Sequence, residues 1–137
     1  MDAAQKLEVH ELLSRAAFGY DERNVELLTG CFAPDARMVI RITDQATVGP
    51  FTGRDAIMAL MRQSMETQTD VRRHVITNIF FEETGESRAR VVSDLSLFST
   101  EGGKARLLCT GVYRDTVVRA GGRWMIADRD LYLDGAY

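Results

Sequence analysis

Between Ala3 and Tyr20 the apolar residues Val9, Leu13, Ala16 and Tyr20 recur at helical spacing, and Leu12 widens the stripe. The spacing predicts an amphipathic helix, with Gly19 weakening its last turn. Asp21-Glu22-Arg23-Asn24 follows, then a short helix over Glu22 to Leu28 that Gly30 closes. Pro34-Asp35 and Gly49-Pro50 predict turns on either side of an imperfectly alternating strand, Arg37 to Thr43. Phe51-Thr52-Gly53 reads as a short extended piece. Ile57, Leu60 and Met61 mark the apolar face of a further helix from Asp55 to Glu66.

From Arg72 onward the period changes to two. Arg72 to Phe81 and Ala89 to Thr100 read as strands, as do Lys104 to Arg119 and Arg123 to Asp134. Gly102-Gly103 and Gly121-Gly122 predict hairpins between them. Helices first and a meander of long strands afterwards predict an α+β fold, with helices packed on one face of a curved sheet. Three helices cannot fill the concave side of such a sheet, so a ligand pocket is expected there.

The chain has 137 residues, 45% of them hydrophobic, and a formal net charge of -3. That length and balance predict one folded domain over residues 1–137 and argue against disorder. The mild acidity argues against nucleic acid as a partner. The longest apolar run, Ala56 to Met61, is too short to span a bilayer, and the N-terminal segment reads as a helix rather than a signal peptide. A cytoplasmic protein with no membrane association is expected. Cys31 and Cys109 have no metal-ligand spacing, and only two histidines are present, so neither a metal nor a disulfide is expected.

Several short segments in order then become informative. These are Tyr20-Asp21-Glu22-Arg23-Asn24, Cys31-Phe32-Ala33-Pro34-Asp35-Ala36, Gly53-Arg54-Asp55-Ala56-Ile57 and Arg72-Arg73-His74-Val75-Ile76-Thr77-Asn78. Gly111-Val112-Tyr113-Arg114-Asp115 and Gly122-Arg123-Trp124-Met125-Ile126-Ala127 complete the set. With this order and spacing the chain resembles the SnoaL-like branch of the nuclear transport factor 2-like superfamily. The resemblance implies a cone-shaped α+β half-barrel enclosing a deep pocket, and no cofactor. Its relatives include scytalone dehydratase, a dehydrochlorinase, polyketide cyclases, lyases of lignin-derived compounds and the small subunits of ring-hydroxylating dioxygenases. Fold alone does not choose among them.

Asp21 and His74 stand where the dehydratase and the dehydrochlorinase carry a catalytic dyad. The resemblance implies that His74 is a general base and Asp21 its orienting partner. Asp21 also reads as an N-cap of the short helix, and His74 as a core or rim histidine. Arg129, following Trp124, resembles a pocket arginine of the dehydrochlorinase. Strict alternation puts it on the face opposite Trp124, so a bulge is needed. The strand after His74 offers Ser96, Phe98 and Ser99 where the scytalone enzyme has a second histidine, a departure from that chemistry.

Tyr20, Tyr113 and Tyr132 are candidate pocket hydroxyls, able to donate to a developing oxyanion. Tyr113 shares a parity with Leu107 and Cys109, opposite Lys104, Arg106 and Arg114, and is expected to face inward. Asn78 shares the parity of His74 and could contact substrate or mark a bulge. Arg72 and Arg73 read as solvated charge. Leu108, Thr110, Val112 and Val118 form a rather apolar outward parity, which predicts a homodimer through the convex face.

Taken together, these residues predict a cofactor-independent lyase or isomerase acting on a small hydrophobic substrate, aromatic or polycyclic. A non-catalytic ligand-binding module, or a relative of a dioxygenase small subunit, is the rival expectation. An Asp21–His74 hydrogen bond at an open pocket favours the enzyme.

Overall fold

Asp2 starts the first helix of the computed structural model, which describes residues 1–137. Its carboxylate accepts from the Gln5 backbone N–H at 2.8 Å, and the Gln5 side chain accepts from the Asp2 N–H at 2.9 Å. This reciprocal cap satisfies two donors that a helix start leaves unpaired. Helix α1 runs Ala3–Asp21 and buries Val9, Leu12, Leu13 and Ala16. At Gly19 a β-carbon would lie 3.1 Å from the Leu28 backbone nitrogen, so the glycine lets α2 (Val25–Thr29) cross close by. Helix α2 is shorter than expected. Asn24 caps it by accepting from the Leu27 N–H at 3.1 Å, and Asp21 takes no part in that cap.

Strand β1 (Phe32–Ile42) absorbs the expected Pro34-Asp35 turn. Proline has no N–H for a ladder, and the pairing of β1 with its neighbour is irregular between Phe32 and Arg37. Strand β2 (Val48–Thr52) likewise contains Gly49-Pro50, at a sheet edge where proline breaks no ladder. Helix α3 (Arg54–Thr67) leads to β3 (Val71–Glu83), β4 (Arg88–Glu101), β5 (Lys104–Ala120) and β6 (Arg123–Leu133). The six strands form one curved, unclosed sheet in the order β2-β1-β6-β5-β4-β3. Every neighbouring pair is antiparallel except β1 and β6, which run parallel. No helix is long and apolar enough to cross a membrane.

The helices pack on the concave face. There Val9, Leu13, Ile57 and Met58 meet Phe32, Val91, Val117 and Ile126 in the main core. A smaller cluster of Leu95, Leu97, Cys109, Tyr113, Leu131 and Leu133 continues across the sheet.

Three bulges decide which side chains face that layer. In β6 the pairing slips between Ile126 and Asp128, leaving Ala127 unpaired. Trp124 and Ile126 therefore point inward, and so do Arg129, Leu131 and Leu133 beyond the slip. In β5 the slip falls at Leu108, so Leu107 turns outward, 53% exposed, and Leu108 packs on the smaller cluster. This reverses the expected orientation of both leucines. In β3 the slip falls at Asn78, whose φ of 53° is left-handed, a region asparagine tolerates better than most residues.

Candidate active site

The last residue of α1 and the edge strand β3 meet through one carboxylate. Asp21 Oδ2 accepts from the His74 backbone N–H at 2.8 Å, and Oδ1 lies 2.6 Å from His74 Nδ1. An edge strand leaves N–H groups unpaired, and Asp21 satisfies one of them while gripping the ring. The two side chains are only 5% and 14% exposed. In the neutral imidazole, a proton on Nδ1 facing Asp21 Oδ1 leaves the Nε2 lone pair free. Nε2 has no hydrogen-bond partner in the protein. The Tyr20 ring stands edge-on to the imidazole, centroids 5.0 Å apart, and fixes its plane. The Tyr20 hydroxyl in turn accepts from Gln68 Nε2 at 2.6 Å.

His74 lines a cavity of about 120 Å³ between α1, α3 and the concave sheet. Its walls are mostly apolar, with Leu13, Ala16, Phe32, Met38 and Leu131 among them. Tyr20, Tyr113 and Arg129 add polar groups to the same cavity. The structure thus brings five of the seven sequence candidates together: Asp21, His74, Tyr20, Tyr113 and Arg129. A wider groove of about 560 Å³ lies between α1, α2 and the β5–β6 hairpin, lined by Glu8, Glu11, Arg15, Glu26 and Arg123. It is open and polar and holds no convergent reactive group, so the apolar cavity at His74 is the better candidate site.

Two candidates fall outside. Tyr132 follows the inward Arg129 and Leu131 by alternation and so faces out, 39% exposed, with the Arg41 guanidinium 5.7 Å from its ring centroid. Asn78 is turned away by its bulge. Its Nδ2 donates to Asp94 Oδ2 at 2.7 Å on the exposed side, and Ile79 takes the inward position.

Opposite the imidazole, Arg129 is fully engaged on one edge. Its Nε and Nη2 donate to the two Asp115 oxygens at 2.8 and 2.9 Å. Burial disfavours the cation, but the Asp115 carboxylate more than offsets this and holds the guanidinium above its ordinary range. The guanidinium carbon stacks 4.1 Å from the Tyr113 ring centroid. Burial pushes the Tyr113 phenol well up, with Arg129 opposing part of the shift, so the hydroxyl stays a neutral donor. Tyr113 is buried at the cavity wall.

Cys31 and Cys109 are free and buried, and burial raises both thiols. No three His, Cys, Asp or Glu side chains converge as metal ligands. Sequence reasoning missed the polar surround of Tyr20 and Arg72. Gln68, Asp70 and Ser99 sit on a turn and a neighbouring strand, and no spacing signal joins them.

Comparison with known proteins agrees with this architecture. The profile of the SnoaL-like domain family matches residues 1–130. A protein of unknown function with a cystatin-like fold from Nostoc punctiforme PCC 73102 superposes with a TM-score of 0.83 at 20% identity, over 98% of this chain and 94% of that one. A Novosphingobium aromaticivorans DSM 12444 protein assigned as a scytalone dehydratase gives 0.77 at 22%, over 95% and 84%. From the same organism, the beta subunit of a protein assigned as an aromatic-ring-hydroxylating dioxygenase gives 0.83 at 16%, over 99% and 94%. Likeness at these identities is likeness of fold. No curated protein matches the sequence.

Proposed function

The chain belongs to the SnoaL-like domain family, and from that premise we propose that it is a cofactor-independent lyase or isomerase whose general base is His74. The single observation that carries this reading is the Asp21–His74 pair, with Nε2 unpartnered at the wall of an apolar cavity. Nε2 takes a proton from a carbon acid in the substrate. The electrons of that C–H bond form the new double bond, and the leaving group departs with its own pair. Asp21 holds the ring in the correct tautomer and stabilises the imidazolium that forms. The Tyr113 hydroxyl, kept neutral by burial, donates to the oxyanion or leaving group. In this reading Arg129 keeps Tyr113 in place and is a positioning residue.

Nitrobenzisoxazole tests the base without knowledge of the natural substrate. Its ring C–H proton passes to the base, the electrons form the nitrile, and the N–O bond breaks to release a coloured phenolate. Turnover by the parent chain, loss of it in His74→Ala and no change on adding EDTA are the expected results. Equal turnover by parent and His74→Ala would return the chain to a non-catalytic role.

A homodimer through the convex face is part of the same proposal. Phe98, Leu107, Val75 and Phe80 are exposed there, 37–54% each. Arg73, Arg114 and Asp94 stand among them, so both signs of charge are present for a two-fold contact. Leu107→Asp should shift light scattering from dimer to monomer, and a parent chain that scatters as a monomer would remove the proposal.

A further inference from the structure

The dyad cavity is small for a polycyclic ligand, because pockets for such molecules hold roughly 300–1,000 Å³. It does not end at its mouth. Ile40, Ser64 and Tyr137 also wall a second basin of about 580 Å³ beside it, which Gln68, Asp70, Arg72 and Leu133 line further out. Tyr137 stands between the two spaces, beyond the end of β6, in a segment with no helix or strand pairing.

Arg72 projects into this basin. It lies two residues before His74 on β3, on the same face, a rise of roughly 7 Å along the strand. Its side chain is only 16% exposed. Nε donates to both Asp70 oxygens, at 3.1 and 3.3 Å. Asp70 is itself buried and accepts a short hydrogen bond from the Ser99 hydroxyl. That bond, together with Arg72, holds the Asp70 carboxyl below its usual range against the opposing effect of burial. Asp70 therefore remains an anion and grips one edge of the guanidinium. No second carboxylate pairs with Nη1 or Nη2; the Tyr137 phenol is close enough to Arg72 that the guanidinium opposes part of the rise that burial gives the phenol. What faces the guanidinium is the Tyr137 ring, 5.2 Å from its carbon to the centroid. Arg106 and Glu101 line the outer rim with opposite charges.

A fixed guanidinium whose outer N–H groups meet only Tyr137 can turn that fork to the two oxygens of a carboxylate once Tyr137 moves aside. Its immobilisation by Asp70 and Ser99 lowers the ordering cost of binding. We infer that the outer basin is an anion subsite, and that the substrate class is an aromatic carboxylate whose ring enters the dyad cavity while its carboxylate displaces Tyr137 from Arg72. This rests on the dyad cavity being the ligand site, and it adds a specificity residue, Arg72.

Hydrocinnamate and its neutral amide, hydrocinnamamide, are matched probes of suitable length. Calorimetric titration of the full chain should find the acid bound about tenfold or more tighter than the amide. Arg72→Gln should bring the acid to within about twofold of the amide and leave amide affinity unchanged, as loss of one charge-assisted contact requires. Arg72→Lys, which keeps charge without the fork, should retain a preference of only a few-fold; it carries the test if Arg72→Gln does not fold. His74→Ala should keep the full acid preference, so failure of the base leaves this comparison intact. Equal binding of acid and amide to the parent overturns the inference. So does a preference that survives Arg72→Gln, or the binding of neither probe at about 10 mM, weaker than a single charge-assisted contact would give.

Discussion

Two buried aspartates grip a nitrogenous side chain at the same cavity, and they do opposite things. Asp21 holds the imidazole of His74, and Asp115 holds the guanidinium of Arg129. Both pairs are shielded from water, and both close with bonds shorter than 3 Å. The imidazole can exist with or without its second proton, and Asp21 occupies only one of its nitrogens. The guanidinium cannot lose its charge, and Asp115 occupies two of its donors. In the proposed function one pair is a reactive group held in position. The other is a fixed charge that orients a neighbouring phenol. A buried acid–base contact becomes a candidate catalyst when its basic partner can still accept a proton.

The first way to break the comparison is to remove each centre in turn. His74→Ala should lower nitrobenzisoxazole turnover by about 10²–10⁴-fold, the range a positioned base contributes, with an unchanged circular dichroism spectrum. Asp21→Asn should also lower it by orders of magnitude, because the ring keeps its place but loses the charge that fixes its tautomer and supports the imidazolium. Asp115→Asn should do the reverse. It strands a buried cation, so chemical denaturation should show a loss of about 3–5 kcal/mol, with the rate falling only as far as the fold loosens. If Asp115→Asn cost rate at full stability, the division between the two pairs would be wrong.

The comparison sharpens at Tyr113, which Arg129 stacks beneath. Tyr113→Phe keeps the ring and the stacking and removes only the donor. Turnover should fall about tenfold, below the larger effects of fully formed oxyanion holes, with thermal stability within a few degrees of the parent. An equal rate would leave Tyr113 as packing alone.

How much of this was legible beforehand depended on how far each residue's direction follows from its neighbours. The order of helices and strands, the inward Tyr113 and the buried Trp124 follow from periodicity. The Asp21–His74 pair followed from family resemblance. Periodicity alone cannot show that a helix end reaches an edge strand 53 residues away in sequence. Arg129 followed from family resemblance against strict alternation; its inward direction required a bulge, and the bulge is present at Ala127. The same bulge excludes Tyr132, since alternation after an inward Arg129 turns residue 132 outward. At Asn78 the bulge reading, and not the substrate contact, matches the structure, while Leu107 failed as an inward residue because a single unpaired residue reverses every side chain beyond it. Arg72 looked like solvated charge because its partners lie on a turn and on the adjacent strand. The buried pair with Asp70 is made by tertiary packing alone.

That third pair supplies the smallest effect and the last test. Asp70 grips Arg72 as Asp115 grips Arg129, but at the cavity mouth and with a hydroxyl from Ser99 added. The hydrogen bond from Ser99 and the Arg72 charge lower the Asp70 carboxyl in the folded chain. A carboxyl lowered by folding stabilises the native state at pH values above its unfolded range. That contribution disappears as pH falls through the folded value, when both states bind the proton. Urea denaturation followed from neutral pH downward should therefore show the parent losing stability below about pH 4, the unfolded range of an aspartate. Asp70→Asn should start less stable at neutral pH and draw level with the parent in acid, since it has no carboxylate to protonate. Its curve should be flatter over that interval, and the acid preference at Arg72 should weaken with it. Parallel curves for the two proteins would mean that Asp70 is no more stabilised as an anion in the fold than in the open chain. Arg72 would then be held by packing and not by charge, and the mouth of the cavity would differ in kind from the Asp115–Arg129 wall behind it.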